Sequence, residues 1–329
     1  MSPAIIKAWR LEDLIARLAQ RPLGGLVLPV QGGGPEGLDA FFKARSVAVI
    51  GASARPGKIG HEILRNLALY EYKGRVYPIN PRAEEILGLK CYKSVLDVPD
   101  DVDLAVIAIA SEATPKVVEE CGRKGVKAIV IVSGGFKELG GRYKDVEEEV
   151  VRIARRYGMR IIGPNCIGVF DGGTRIDTFF QSRERMLRPP KGPIAFMTQS
   201  GTFGCTMLEW AAEAGLGISK FVSYGNRCDV DEADLIRYFG QDPETRVIAI
   251  YLEGLSDGRK FMEAAREVAP KKPIVVLKAG RTEAGSRAAL SHTGWLAGEA
   301  AIYEAAFRQC GVIQARNFEE LFDMAKALA

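Results

Sequence analysis

Residues 47–60 read VAVIGASARPGKIG and decide the fold of the first part of the chain. A run of apolar, mostly β-branched residues ends at Gly51, and a helix is predicted to begin near Lys58. A strand, a glycine turn and a helix in this order open an α/β sheet, and the free N–H groups of such a turn bind phosphate. A tight turn without any ligand is the other interpretation of the same residues.

The dinucleotide fingerprint G-x-G-x-x-G is incomplete in this turn. It requires a glycine two residues after Gly51, where the chain has Ser53. An acid that binds the ribose is expected about 20 residues further on, but residues 77–82 read YPINPR. This cationic turn suits a phosphorylated ribose. NADP and coenzyme A both carry one, and coenzyme A tolerates the missing glycine.

Apolar runs and amphipathic segments alternate along the rest of the chain, which predicts βαβ units and parallel sheets. The runs that predict strands lie at residues 76–79, 104–109, 128–132 and 160–162 and, after a proline-rich break at 188–193, at 194–197, 218–222, 247–251, 274–277 and 312–313. We therefore predict an α/β protein: a helical extension and glycine-rich linker (1–40), a Rossmann-like domain (41–170) and a flavodoxin-like domain (190–329).

The composition is typical of a globular protein with nearly balanced charge. The 329 residues include 45 basic and 41 acidic side chains, which gives a net charge of +4. A mildly basic surface of this kind suits small anions, and it differs from the concentrated basic patch of a nucleic-acid binder. The six cysteines form no CxxC pair, so no metal site or disulfide framework is predicted. No apolar run approaches the roughly 20 residues of a membrane span, and the N-terminus lacks the layout of a secretory signal. We expect a cytoplasmic protein without nucleic-acid or membrane partners.

Four segments of the first domain resemble a known family. GASARPGKIG, PINPR, IVSGGF and IIGPNCIGV are similar to the CoA-binding domain of the succinyl-CoA synthetase superfamily, especially to the alpha subunits of ADP-forming acetate–CoA ligases. The resemblance implies that coenzyme A is the ligand. The residues that it implies for CoA binding are Gly51, Ser53, Ala54, Arg55, Asn80, Arg82, Val132, Ser133 and Gly134. Succinyl-type enzymes carry a glutamate at the position of Gly134.

The chain has two histidines, His61 and His292. His61 lies at the start of the first predicted helix, which indicates a structural or solvated side chain. His292 lies in residues 290–298, LSHTGWLAG, a loop of small residues after a predicted strand. This loop resembles the phosphohistidine loop of the same superfamily. The resemblance implies that His292 is the nucleophile that takes a phosphoryl group from an acyl phosphate.

Two further segments of the second domain are candidates for the same site. Residues 198–204, TQSGTFG, end a strand and begin a helix, so Ser200, Gly201 and Thr202 could bind phosphate at the helix N-terminus, or Ser200 could be an ordinary cap. Glu253 ends another strand, where the family has a glutamate that orients the histidine; a solvated carboxylate is the alternative. Asn226, Asp229 and Asp231 also match the family, with no role assigned beyond shaping the cleft.

The sequence contains no Walker loop and nothing that resembles a nucleotide-binding ATP-grasp module. The resemblance therefore implies a ligase subunit that needs an ATP-grasp beta subunit to hold the Mg-nucleotide, with acyl-CoA, carboxylate and phosphate as small-molecule partners. The expected reaction is acyl-CoA + phosphate + NDP ⇌ carboxylate + CoA + NTP. A non-catalytic CoA-binding sensor or scaffold is the alternative, and an NADP-dependent oxidoreductase fits the glycine loop poorly.

Overall fold

A computed structural model describes residues 37–280 and 300–329. The predicted extension and linker at residues 1–36 lie outside the described residues. So does the loop at residues 290–298 with His292.

The first sheet is parallel throughout, in the order β2-β1-β5-β6-β7. The strands, with a short β3–β4 hairpin, are β1 (Ser46–Ile50), β2 (Arg75–Ile79), β3 (Glu85–Ile86), β4 (Leu89–Lys90), β5 (Leu104–Ile107), β6 (Ala128–Ile131) and β7 (Arg160–Ile162). The α-helices are α1 (Asp39–Phe42), α2 (Ile59–Ala68), α3 (Thr114–Lys124) and α4 (Arg142–Arg156), and single 3₁₀ turns span Val95–Asp97, Ser111–Ala113 and Lys137–Leu139.

The second sheet has the order β13-β12-β11-β9-β10-β8, and only the edge strand β8 is antiparallel to its neighbour. Its strands are β8 (Gly168–Asp171), β9 (Lys191–Thr198), β10 (Ile218–Ser223), β11 (Val247–Leu252), β12 (Ile274–Lys278) and β13 (Ile313–Ala315). Its helices are α5 (Gly201–Glu213), α6 (Glu232–Gln241), α7 (Gly258–Val268), α8 (Ala300–Gln309) and α9 (Phe318–Leu328).

The central strands of the first sheet are almost entirely apolar, which is typical of strands that are covered on both faces. Every residue of β1, β5 and β6 is buried. Alternate residues of β1 enter different cores: Val47 and Val49 belong to a cluster that continues into the second sheet, whereas Ala48 and Ile50 pack with residues of α3 and α4. The cluster that contains Val47 and Val49 is therefore a hydrophobic core that the two sheets share.

These sheets confirm the predicted fold class, parallel α/β in both halves. The chain passes from the first sheet to the second between Ile162 and Gly168. The strand β8 therefore belongs to the second sheet, although it lies in the segment predicted for the first domain. In both sheets the strand order reverses once, between β1 and β5 and between β9 and β11. Ligands of open α/β sheets bind at such reversals, outside the carboxyl ends of the strands.

Candidate functional site

A cleft of about 630 Å³ opens at the reversal of the first sheet. Gly51, Asn80 and Arg82, three of the predicted ligand-binding residues, line it together with Lys93 and Lys116. Glu112 and Glu120 also lie in its wall, so the lining carries three cationic and two anionic side chains. The surplus of positive charge favours a phosphorylated ligand.

Two glycines shape the loop at the floor of this cleft. Gly51 has φ +91°, and a Cβ atom there would lie 2.5 Å from the carbonyl oxygen of Ala108. A Cβ atom on Gly60 would lie 2.0 Å from the carbonyl oxygen of Gly51. Only glycine lets the start of α2 approach the loop this closely, which is the role of the last glycine in phosphate-binding turns.

Asn80 connects the second strand to the glycine loop. Its Nδ2 donates to the carbonyl oxygen of Ala52 at 2.8 Å, and its Oδ1 accepts the backbone N–H of Arg82 at 2.8 Å. The second bond closes an Asx turn, which fixes the backbone at Arg82 while leaving its guanidinium exposed to solvent. The turn thus presents a cation at the mouth of the cleft.

Ser53, Ala54 and Arg55 lie in the glycine loop but outside the cleft lining. Ser53 Oγ accepts the backbone N–H of Arg55 at 3.1 Å, and the carbonyl oxygen of Ser53 accepts a hydrogen bond from His61 Nδ1 at 2.9 Å. His61 is 6% exposed. The imidazole therefore holds the loop in place, which is the structural and not the solvated one of the two roles predicted for His61.

The predicted residues Val132, Ser133 and Gly134 follow β6, two strands from β1, and do not line the cleft. Ser133 accepts the backbone N–H of Asn165 at 2.9 Å. A Cβ atom on Gly134 would lie 3.2 Å from Glu138 Oε1, so the carboxylate of Glu138 occupies the space beside this glycine. No motif in the sequence pointed to Glu138.

Hydrogen bonds hold the carboxylate of Glu138 in its ionised form. Burial acts to raise its pKa, but hydrogen bonds from Asn226, Phe136 and Gly135 outweigh this effect and lower the pKa. Asn226 Nδ2 donates to Glu138 Oε2 at 2.6 Å, and the backbone N–H of Gly135 donates to Oε1 at 2.6 Å. A residue of the second domain thereby fixes a carboxylate of the first.

The second reversal, between β9 and β11, brings together the predicted phosphate-binding residues and the loop after β11. Ser200 is the N-cap of α5, and its Oγ accepts the backbone N–H of Phe203 at 3.2 Å. The helix itself supplies no acceptor for the N–H groups of Gly201 and Thr202, since the first N–H groups of a helix have none. Glu253 directly follows β11. The positive end of the helix and this carboxylate therefore lie at adjacent strand ends.

A buried ion pair lies beneath these residues. Arg227 donates to the carboxylate of Glu232, and the side chains are 7% and 3% exposed. Burial raises the pKa of Glu232, and the charge and hydrogen bond of Arg227 act against this rise. The sequence pattern indicated no special role for either residue, because an acid in the first turn of a helix is usually a favourable partner of the helix dipole.

Lys278 is the last residue of β12 and pairs with Leu252 of β11. Leu252 directly precedes Glu253 in the chain. The side chain of Lys278 is buried, with Nζ 2.5 Å from the carbonyl oxygen of Ala279 and 4.7 Å from the centre of the Tyr303 ring. Burial lowers the pKa of Lys278, whereas the negative charge of Glu253 acts to raise it. A cation thus lies close to the candidate catalytic carboxylate.

The loop that joins the two sheets contacts the third predicted CoA segment and the candidate site of the second domain. The backbone N–H groups of Asn226 and Cys228 donate to Pro164 and Gly163 at 2.9 and 3.1 Å. A Cβ atom on Gly201 would lie 3.1 Å from Ile167 Cγ2, so the start of α5 packs directly against the same loop. Residues 163–167 therefore link the third predicted CoA segment to α5, the helix predicted to bind phosphate.

Asp229 and Asp231 have structural roles in this junction. Asp229 accepts hydrogen bonds from Arg160 Nε and from the backbone N–H of Ile161, both at 2.9 Å. Asp231 caps α6 and pairs with Lys260 at 2.7 Å. These contacts agree with the limited role that the sequence suggested for the two acids.

No helix within residues 37–280 and 300–329 combines the length and the apolar composition that crossing a bilayer requires.

The two halves of the chain match two described families of domains. The family described as "CoA binding domain" matches residues 45–171, and the family described as "Succinyl-CoA ligase like flavodoxin domain" matches residues 191–328. The chain is thus a tandem of a CoA-binding domain and a ligase-type flavodoxin-like domain.

Curated proteins and solved structures narrow this class. The chain is 49% identical over 296 residues to the alpha subunit of an ADP-forming acetate–CoA ligase I of Pyrococcus furiosus, covering 89% of this chain and 63% of that protein. It is 48% identical to acetate–CoA ligase [ADP-forming] I of Archaeoglobus fulgidus, covering 88% and 42%. The acetyl-coenzyme A synthetase 1 of Ca. Korarchaeum cryptofilum, solved with phosphate and ADP, superimposes with a TM-score of 0.83 at 47% identity, covering 89% and 62%.

The chain therefore carries the domains of these two families and is related in sequence to the ADP-forming acetate–CoA ligases. It spans between about two fifths and three fifths of the length of these relatives.

Proposed function

We propose that this chain is the CoA-binding, phosphohistidine-carrying subunit of an NDP-forming acyl-CoA synthetase of the ADP-forming acetate–CoA ligase type. The observation that carries the proposal is the cationic cleft at the first sheet reversal, lined by Gly51, Asn80 and Arg82. The cleft has the position and charge that a ligand with a pyrophosphate and a 3′-phosphate requires. The chain would act in the cytoplasm, where its cysteines stay reduced.

The reaction divides into three transfers. Inorganic phosphate attacks the thioester carbonyl, which forms an acyl phosphate and releases the CoA thiolate. His292 then attacks phosphorus, and the P–O bond to the carboxylate breaks. The phosphohistidine finally passes its phosphoryl group to a nucleoside diphosphate, whose Mg²⁺ complex an ATP-grasp partner subunit would hold.

Two groups of the second domain would support the histidine steps. The N–H groups of Gly201 and Thr202 would bind the phosphoryl oxygens, and each favourable charge–dipole interaction contributes about 0.3–1 kcal/mol. The carboxylate of Glu253 would bond one ring nitrogen of His292, which fixes the tautomer and leaves the other nitrogen to attack.

The isolated chain is expected to give no synthetase turnover. It contributes the CoA cleft and the histidine, whereas the nucleotide site belongs to the partner. Activity should appear when the chain is mixed with an ATP-grasp subunit, measured as release of free CoA from acetyl-CoA, phosphate and ADP. Full turnover by the isolated chain would contradict the division into subunits.

Arg82→Ala is expected to lower the affinity for CoA by about 10-fold or more and the affinity for dephospho-CoA by much less. The reason is that a charge-assisted hydrogen bond to the 3′-phosphate is stronger than a neutral one, and dephospho-CoA lacks this phosphate. Isothermal titration of both ligands measures the difference.

Lys73→Ala is the matched control, because Lys73 is exposed and lies just before the amino end of β2, whereas Arg82 lies beyond the carboxyl end of the same strand. It should bind both ligands as the wild type does. An equal loss for both ligands in Arg82→Ala would remove the assignment of the 3′-phosphate. Tight NADPH binding without CoA binding would overturn the whole proposal for this cleft.

A further inference from the structure

We propose that Gln199 is a positioning residue for phosphoryl transfer, because its side chain fixes the chain segment that carries Glu253 against the phosphate-binding helix. The inference rests on the proposed function of the second domain. It assigns a task to a residue that would not itself touch the phosphoryl group.

The amide of Gln199 makes four hydrogen bonds across the sheet reversal. Its Oε1 accepts the backbone N–H groups of Glu253 and, at 3.0 Å, of Gly254. Its Nε2 donates to the carbonyl oxygen of Gly254 at 2.7 Å and to Glu232 Oε1 at 2.8 Å. These bonds use the two acceptor sites and both donors of a glutamine amide.

Only one orientation of the amide satisfies all these neighbours. Two backbone donors face one end of the group, and a carbonyl oxygen and a carboxylate face the other. A flipped amide would set its NH₂ against the two N–H groups and its oxygen against the two acceptors. The contacts therefore require a glutamine, with one donating and one accepting end.

A second side chain reinforces the same segment. Arg227 donates to the carbonyl oxygen of Gly254 at 2.5 Å as well as to Glu232. Gly254 is thus held through its N–H by Gln199 and through its carbonyl by both Gln199 and Arg227. The backbone just after Glu253 has little freedom to move.

The place of Gln199 in the chain connects this segment to the other half of the site. Gln199 follows the end of β9 and directly precedes Ser200, the N-cap of α5. Its side chain reaches the residues that follow β11, the strand next to β9. A shift of Glu253 relative to the helix would misplace the histidine that it orients, and misplacement of about 1 Å costs on the order of 10²-fold in rate.

Gln199→Glu is the sharpest test. The new carboxylate keeps an oxygen for the two backbone N–H groups but sets its other oxygen against the carbonyl of Gly254 and the carboxylate of Glu232. We expect the rate of phosphohistidine formation in the complex with the ATP-grasp subunit to fall by about 10- to 100-fold. CoA affinity, measured on the same sample, should stay unchanged. Gln199→Asn, with a shorter amide, should give a smaller loss in the same direction.

A double-mutant cycle separates positioning from general damage to the fold. If Gln199 acts through Glu253, the variant Gln199→Glu/Glu253→Gln should be no slower than Glu253→Gln alone, because coupled residues do not add their effects. If the rate of the double variant falls by the product of the factors measured for the two single variants, the inference is overturned. An unchanged rate in both Gln199 variants would also overturn it.

Glu232→Gln in the background of Gln199→Glu offers a rescue. In this double variant the amide is at position 232 and the carboxylate is at position 199, so the contact again pairs one amide with one carboxylate. The rate should therefore rise above that of Gln199→Glu. A rate that falls further would contradict the proposed contact. If the wild-type complex forms no phosphohistidine, the proposed function fails, whereas phosphorylation that is insensitive to Gln199 removes only this inference.

Discussion

Replacing His292 with asparagine is expected to abolish phosphorylation of this chain. In the complex with an ATP-grasp subunit, labelled nucleotide should give the wild type an acid-labile and base-stable label, and the variant should carry none above background. A neutral imidazole attacks phosphorus and leaves again readily, whereas the amide nitrogen of asparagine is not a nucleophile. The label can be measured directly on the separated subunit after acid and base treatment.

His61→Asn is the control, since the chain has no histidines other than His61 and His292. His61 is buried, and its Nδ1 is engaged with the carbonyl oxygen of Ser53. The label should therefore persist in His61→Asn. A label that survives the loss of His292 would refute the proposed mechanism. If no label forms even in the wild-type complex, a non-catalytic CoA-binding sensor becomes the better proposal.

Local order in the sequence predicted part of the lining of the first cleft, although Ser53, Ala54 and Arg55 of the same glycine loop lie outside it. A glycine turn after a strand and a cation-bearing turn after the next strand predicted that Gly51, Asn80 and Arg82 would lie together, and all three line the cleft. Lys116 could not be found in this way, because its place in the cleft depends on β5 lying beside β1. Lys93 could not be found either, because it follows Tyr92, which pairs with Ile79 at the end of β2. The rule that ligands bind at a strand reversal would have directed attention to the residues after β5.

Contacts between distant segments were the part that the sequence did not reveal. The edge strand β8 is four residues long and forms by antiparallel pairing with β10, about 50 residues later. Glu232 and Arg227 are ordinary surface residue types, and only the fold buries them as a pair. Glu138 was missed for the same reason, since Asn226, which donates to its carboxylate, lies 88 residues further along the chain.

Glu253→Gln is expected to lower the rate of phosphohistidine formation by a factor on the order of 10²–10⁴. This is the usual contribution of a side chain that assists a catalytic proton transfer or a nucleophile. The substitution keeps the shape of the side chain but removes the charge that would stabilise one tautomer of His292 and the positive charge that develops on the ring. The backbone of Glu253 stays bonded to Gln199, so the loop should keep its position. Rapid-quench measurement of the label in the complex gives the rate.

Glu263→Gln is the matched control for this substitution, because Glu263 is exposed on α7 and the change removes the same charge. It should leave the rate within about twofold of the wild type, as expected for a surface position. Since Glu253 and the cleft proposed to bind CoA lie at different sheet reversals, CoA affinity should be unchanged in both variants. A Glu253→Gln protein that is phosphorylated as fast as the wild type would show that this carboxylate is only a solvated strand end, and that His292, if phosphorylated, is oriented by another group.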